Sequence, residues 1–440
     1  MLRKFILWSF ISLFSMLTYA TTITIRIANP IKSVPTLYLP DGDEFPIKVD
    51  KQGQGMITFQ VQQAGYIKVG YNYATRLFWV DPTSTLQLSF KGDEFYKQID
   101  IKGDNLAINN YLNQTSFTVA QINDTEMKEA AFLQKSESLL NAILSNLNQS
   151  KLSASFKDIE AKRSLYLAYQ ALPSYPEFHK RITKDNTYKP SQNYWNKLKE
   201  VAVFNGNLLV MEDYQSFIIE ATRELARKEF PALKGINRLT AYIDKYVNDT
   251  RVAEFLIYRN VYAHVQSKGL DDKNYENAFK KYVKSPKLVK NFNALCTQFN
   301  NLGKGSLSAD FNATDITGKK VSLKDLRGKY VYIDIWATWC VPCRKEMPHL
   351  LKLEEKYKNA DINFVSISCD TNRKAWEKMV TTKNMKGIQL HFSDNSFMKK
   401  YMIEGVPHFI LLDKEGKIVS ADMTRPSDPA TTALFEKLLK

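Results

Sequence analysis

The chain has 440 residues, 44% hydrophobic and 24% charged, with a formal net charge of +15. That length exceeds one ordinary hydrophobic core, and the composition excludes a disordered or collagen-like chain. The basic residues are dispersed, with isolated doublets such as Lys319-Lys320 and Lys399-Lys400. No basic stripe carries interleaved stacking aromatics, so a solvated surface is expected rather than a nucleic-acid interface. A weak preference for acidic partners or anionic lipid heads is the alternative.

At the N-terminus, Arg3 and Lys4 precede an apolar run from Phe5 to Leu17, then Thr18-Tyr19-Ala20. A basic start, a short apolar run and a small residue describe a secretory signal peptide over residues 1–20. The run is shorter than the roughly 20 residues of a membrane span. No cysteine lies near the cleavage point, so lipid attachment is not expected. The mature protein should be soluble and periplasmic, and loss of Arg3 and Lys4 lowers its charge by two, from +15 to +13.

From residue 21 to 104 the pattern is short alternating strands with turn signals between them, as in Thr22-Ile23-Thr24-Ile25-Arg26-Ile27 and Leu86-Gln87-Leu88-Ser89-Phe90. It predicts an antiparallel β-sandwich or barrel. Tyr66, Tyr71, Tyr73, Phe78 and Trp79 either line a ligand groove or pack the strand core, and packing is favoured. From 105 to 300 the period becomes helical, with stripes such as Leu133, Leu140, Ile143, Leu144 and Leu147. Pro173, Pro176, Pro190, Pro231 and Pro286 fall at breaks between the helices. This α-helical middle domain reads as a spacer, a docking surface or a dimerisation element, and the oligomeric state is open. Residues 301–309 (Asn301-Leu302-Gly303-Lys304-Gly305-Ser306 and beyond) form a small-residue linker. Over 310–440 strands alternate with helices, which predicts an α/β domain.

The four cysteines are sparse for a disulfide-built exported protein. Only Cys340 and Cys343 are neighbours. They follow the strand-like run Tyr330 to Trp336 and open a helix running to about Lys358. Residues three apart on a helical turn lie about 5–6 Å apart, within the roughly 4.4–6.8 Å Cα separation of a disulfide. A loop so short restrains the unfolded chain little, so a redox dithiol is a better reading than a structural bridge. Zinc held by this pair with His349, His391 or His408 is the weaker alternative, since no second compact ligand pair accompanies it. No metal and no cofactor are expected.

Three separated signatures then agree: Ile333-Asp334-Ile335-Trp336-Ala337-Thr338-Trp339-Cys340-Val341-Pro342-Cys343, Glu346-x-Pro348, and Gly405-Val406-Pro407-His408-Phe409. With the lead-in Asp310 to Lys329, they closely resemble the TlpA/ResA-like thiol–disulfide oxidoreductases of the thioredoxin superfamily. The resemblance covers about the last 130 residues of the chain. It implies a thioredoxin-like α/β fold for residues 310–440, behind the β and helical regions of a multidomain chain. It also implies disulfide exchange with cysteine-containing exported proteins, as a reductase fed by a membrane electron donor.

Cys340, at a strand-to-helix junction, should be the attacking thiol. Unpaired N–H groups and the helix dipole there lower a thiol pKa from about 8.5 to roughly 3.5–7.5. Cys343, one turn into the helix, should be the resolving thiol. Asp334 matches the buried aspartate of thioredoxins and would take the proton of Cys343, with Glu346 the competing candidate. Pro407 matches the superfamily's cis-proline, the Val406 backbone would pair with bound substrate, and Trp336 and Trp339 would shield the rim, with plain core packing an equal alternative for Trp336. Cys369, at the end of a strand, is a third redox cysteine or a small buried residue, and burial is favoured for it and for Cys296. Whether those two pair with each other stays open. Two other functions remain. A peroxiredoxin-like thiol peroxidase shares the lead-in, but threonine is wanted three before the cysteine, where Ala337 stands. A partner-binding protein carrying an accessory redox module is the other.

Overall fold

The computed structural model describes residues 20–31, 33–72, 74–114, 125–269 and 272–439. The expected signal peptide, apart from Ala20, and Tyr73 lie outside the described residues. The chain divides into two compact units, Met1–Glu224 and Leu225–Lys440.

The first unit opens with β1 (Thr21–Ala28), β2 (Thr36–Tyr38), β3 (Glu44–Pro46), β4 (Gln54–Phe59), β5 (Gly65–Tyr71), β6 (Ala74–Val80), β7 (Thr85–Lys91) and β8 (Asp100–Gly103). They form two four-stranded sheets, ordered β4-β1-β7-β8 and β3-β2-β5-β6. Alternate side chains of a strand share a face. Ile23, Ile25 and Leu88 of one sheet therefore meet Leu37, Val69 and Phe78 of the other in a common core. The expectation of a purely antiparallel arrangement is corrected by β1 and β7, which pair in parallel from Thr22 opposite Thr85 to Ala28 opposite Lys91. Parallel neighbours need a long connection, and β2 to β6 supply it. Alternation reports a strand's faces, not the direction of its neighbour. Tyr66, Tyr71, Phe78 and Trp79 are all buried and serve packing.

The helical region comprises α1 (Leu106–Gln114), α2 (Glu129–Gln149), α3 (Ala154–Ala168), α4 (Tyr175–Thr183), α5 (Gln192–Val201), α6 (Glu212–Glu229), α7 (Gly235–Tyr246), α8 (Thr250–Lys268), α9 (Lys273–Tyr282) and α10 (Pro286–Asn300). The boundary between the units falls inside α6. Pro176 and Pro286 lie in the first turns of α4 and α10, where the missing N–H costs nothing. No described helix is long and apolar enough to cross a membrane.

The second unit ends in β9 (Ala313–Thr314), β10 (Lys320–Val321), β11 (Tyr330–Trp336), α11 (Val341–Lys356), β12 (Ile362–Ser368), α12 (Arg373–Thr382), β13 (Ile388–Phe392), α13 (Ser396–Lys400), β14 (His408–Leu412), β15 (Ile418–Ser420) and α14 (Pro429–Leu438). One sheet takes the order β10-β9-β13-β12-β11-β14-β15. At its centre β11 runs parallel to β12 and antiparallel to β14. Both faces of β11 are covered. Val331, Ile333 and Ile335 join one core, while Tyr332 joins Leu350, Leu353 and Phe435 of α11 and α14 in another. β13 and α13, in the stretch between α12 and β14, are absent from the sequence-based expectation.

Candidate active site

β11 delivers the chain to the carboxyl edge of the sheet, and the turn Ala337-Thr338-Trp339 passes it into α11. Open parallel sheets place function at this edge. Cys340 is the N-cap of α11 and Cys343 lies in its first turn. Their sulfurs are joined, with the Cα atoms 5.3 Å apart. The backbone N–H of Cys343 donates to Cys340 Sγ at 3.1 Å, so the sulfur fills the role a Ser or Asp oxygen usually plays at a helix start. A thiolate at this point gains from that N–H and from the positive end of the helix dipole. Pro342 occupies the first turn without wasting a donor.

Antiparallel pairing sets Ile335 of β11 opposite His408, the first residue of β14. That register brings the preceding Val406-Pro407 segment to the cysteines. Cys340 Sγ lies 3.5 Å from the Val406 carbonyl oxygen, and the Val406–Pro407 peptide is cis. Trp339 is 61% exposed beside the pair, whereas Trp336 is fully buried and packs with Cys340, Cys343 and Trp376. Trp336 is thus core and does not form the rim, because it closes β11 with its side chain turned toward α11.

Asp334 is buried on the same face of β11 as Tyr332 and Trp336. Burial raises its carboxyl to about 7. A long hydrogen bond from the Ser366 hydroxyl, 3.4 Å, offsets part of this, and the charges of Glu354 and Glu346 add to it. An acid of that strength can take or give a proton near neutral pH. Glu346, also buried, faces another way: it accepts the Ser427 N–H and hydroxyl, each at 3.0 Å, with Arg425 at 4.0 Å. Its carboxylate fastens α11 to the segment before α14.

Asp370 is a site residue that the sequence reading passes over. Buried just after β12, it accepts the Thr338 N–H and hydroxyl and the Ser368 hydroxyl. It therefore holds the turn that leads into Cys340. An acidic residue two positions after a strand carries no periodic signal, and Thr338 lies 32 residues away in sequence. Cys369 borders the cluster around the cysteines as a free thiol that burial pushes up to about 11. Cys296 is also free, its thiol raised by burial.

Residues 304–436 match the family model described as Redoxin. The thiol-disulfide oxidoreductase ResA of Bacillus anthracis is 35% identical over 115 residues, which is 26% of this chain and 66% of that protein. The chain thus spans just under two thirds of that relative's length. A solution structure of a proposed thiol-disulfide oxidoreductase from Bacteroides vulgatus is 61% identical, covering 31% of this chain and 92% of that one with a TM-score of 0.29. The thioredoxin domain of a second Bacteroides vulgatus thiol-disulfide oxidoreductase is 32% identical over 31% of this chain and 99% of its own, with a TM-score of 0.30. The C-terminal region of the chain thus carries a Redoxin domain and is similar to the ResA thiol–disulfide oxidoreductases.

Proposed function

We propose that this chain is an exported, periplasmic thiol–disulfide oxidoreductase that reduces disulfides of other exported proteins through Cys340 and Cys343. The observation that carries the reading is the joined pair at the start of α11, with Cys340 Sγ held by the Cys343 N–H beside the Val406 carbonyl. In the reduced protein the Cys340 thiolate attacks one sulfur of a substrate disulfide. A mixed disulfide forms and the other substrate sulfur leaves as thiolate, to be protonated by solvent. Cys343, its proton passed to Asp334, then attacks Cys340 Sγ. The second substrate sulfur leaves, and the Cys340–Cys343 bridge holds the two electrons' worth of oxidation. A membrane-borne electron donor reduces the bridge for the next cycle. In this scheme the edge of Val406 and the face of Trp339 hold the substrate strand, residues 310–440 are the catalytic domain, and 21–104 and 105–300 present it to partners.

Dithiothreitol-driven reduction of insulin tests the reading, together with reshuffling of scrambled ribonuclease. The intact protein should accelerate both, and Cys340→Ser should abolish the acceleration. Equal activity after that substitution would refute the mechanism.

A further inference from the structure

Beside the cysteines, on the flank where α11 meets the end of α12 and the start of β13, lies an open cavity of about 270 Å³. Its apolar wall is Met347, Leu351, Met379 and Met385. Three of these, Met347, Met379 and Met385, also pack against the buried cluster that contains Cys340 and Cys343, so the groove lies next to the redox centre. Methionine walls adapt to varied apolar partners. Exposed cations stand around the opening: Arg344, Lys383 and Lys386. Among the described residues none of the three is within ion-pair distance of a carboxylate, although the charge of Lys386 acts on the Glu354 carboxyl.

From Arg344 to Glu354 the helix rises about 15 Å, the span of roughly four or five extended residues.

We propose that this groove receives the substrate polypeptide flanking the reacting cysteine, as an extended segment of apolar residues interspersed with acidic ones. The inference rests on the proposed oxidoreductase function and names its substrate class. The apolar side chains enter the methionine-lined cavity, and the acidic ones meet Arg344, Lys383 and Lys386. The cations argue against a basic segment, which they would repel.

The test uses the reduced full chain and two synthetic peptides. Each carries one cysteine as a mixed disulfide with an aromatic thiol, followed by five residues, acidic and apolar in one and lysine-substituted in the other. Cys340 thiolate displaces the aromatic thiolate, Cys343 then releases the peptide thiol, and the aromatic thiolate is read by its colour. A small aromatic disulfide too short to enter the groove provides the reference rate. The acidic–apolar peptide should react about tenfold faster than its lysine counterpart. Arg344→Glu, Lys383→Glu and Lys386→Glu together should collapse or invert that ratio, whereas Leu351→Asn, which leaves the cations in place, should slow both peptides and spare the reference disulfide. Equal rates for the two peptides, with the reference disulfide still reduced, overturn the groove and leave the oxidoreductase reading standing. Failure to reduce any of the three disulfides overturns both.

Discussion

The carboxylate of Asp370 accepts both the backbone N–H and the hydroxyl of Thr338, at 2.9 and 2.7 Å. It thereby ties the turn before Cys340 to the end of β12. Asp370→Ala strips acceptors from these donors and from the Ser368 hydroxyl. Hydrogen bonds to a charged group contribute about 1.5–3 kcal/mol each and are not additive, so a total loss of about 2–4 kcal/mol is expected in urea unfolding. A positioning role predicts more than instability. The apparent pKa of Cys340, followed by the pH dependence of alkylation in the reduced protein, should rise as the turn relaxes. An unchanged value would confine Asp370 to stability.

Asp334 gives a pH signature of definite sign. Its folded carboxyl is raised to about 7, above an unfolded value near 3.9. Its contribution to stability is therefore fully present below the unfolded value and is lost as pH rises through the folded one. About three pKa units correspond to roughly 4 kcal/mol as an upper bound. Asp334→Asn should flatten the fall in stability between about pH 4 and pH 8, seen in unfolding curves of the oxidised protein. The exchange rate of the reduced protein should lose its rise near pH 7 and drop on the order of 100-fold. Parallel stability curves for the two proteins would show that the carboxyl is not held neutral.

Much of the redox domain is legible in sequence, and the reason is local. β11 is a seven-residue run of β-branched and aromatic side chains interrupted by Asp334. α11 announces itself by Cys340 at the cap and Pro342 in the first turn. β13 is harder: Ile388-Gln389-Leu390-His391-Phe392 is short, and its burial comes from pairing with β12 and β9. Glu346 is visible as a motif residue, but its partner Ser427 is 81 residues on, so its tethering cannot be read from spacing. The same holds for the parallel pairing of β1 with β7, a property of chain path rather than of either strand.

The tether itself can be measured. Glu346→Ala leaves the Ser427 N–H and hydroxyl without their acceptors, and should cost about 2 kcal/mol. Ser427→Ala should cost less, and the double variant clearly less than the sum. Strict additivity would mean that the two residues do not act through each other. If Glu346 also moves protons, Glu346→Gln should change the pH profile of exchange while Ser427→Ala leaves it in place.

Thiol counting separates the cysteines. With Cys340 and Cys343 joined and Cys296 and Cys369 free, the unfolded oxidised protein should show two thiols and the reduced protein four. In the native protein Cys369, its thiol raised to about 11, should alkylate far more slowly than an ordinary exposed cysteine, because thiolate is the reacting form. Four thiols after reduction and none before would mean a second bridge.

The first unit contains a buried charge network that no single stretch of sequence displays. Glu160 accepts the Tyr66 hydroxyl at 2.6 Å and two N–H groups of Arg163 at 2.8 and 2.6 Å, and Arg163 reaches on to Asp213 at 3.1 Å. It joins β5 to α3 and α6, elements far apart in the chain. Burial, followed by the charge of Glu160, raises the Tyr66 hydroxyl far above its usual range, so it stays a donor. Removing one partner of a buried pair strands the other charge, at about 3–5 kcal/mol. Arg163→Met alone should therefore destabilise strongly. Arg163→Met combined with Glu160→Leu should recover much of the loss, because two apolar groups of similar volume need no partner. Chemical denaturation of the three proteins reads the difference. A double variant as unstable as Arg163→Met would mean that the network's hydrogen bonds to Tyr66 and Asp213, rather than the cost of an unpaired charge, hold these elements together.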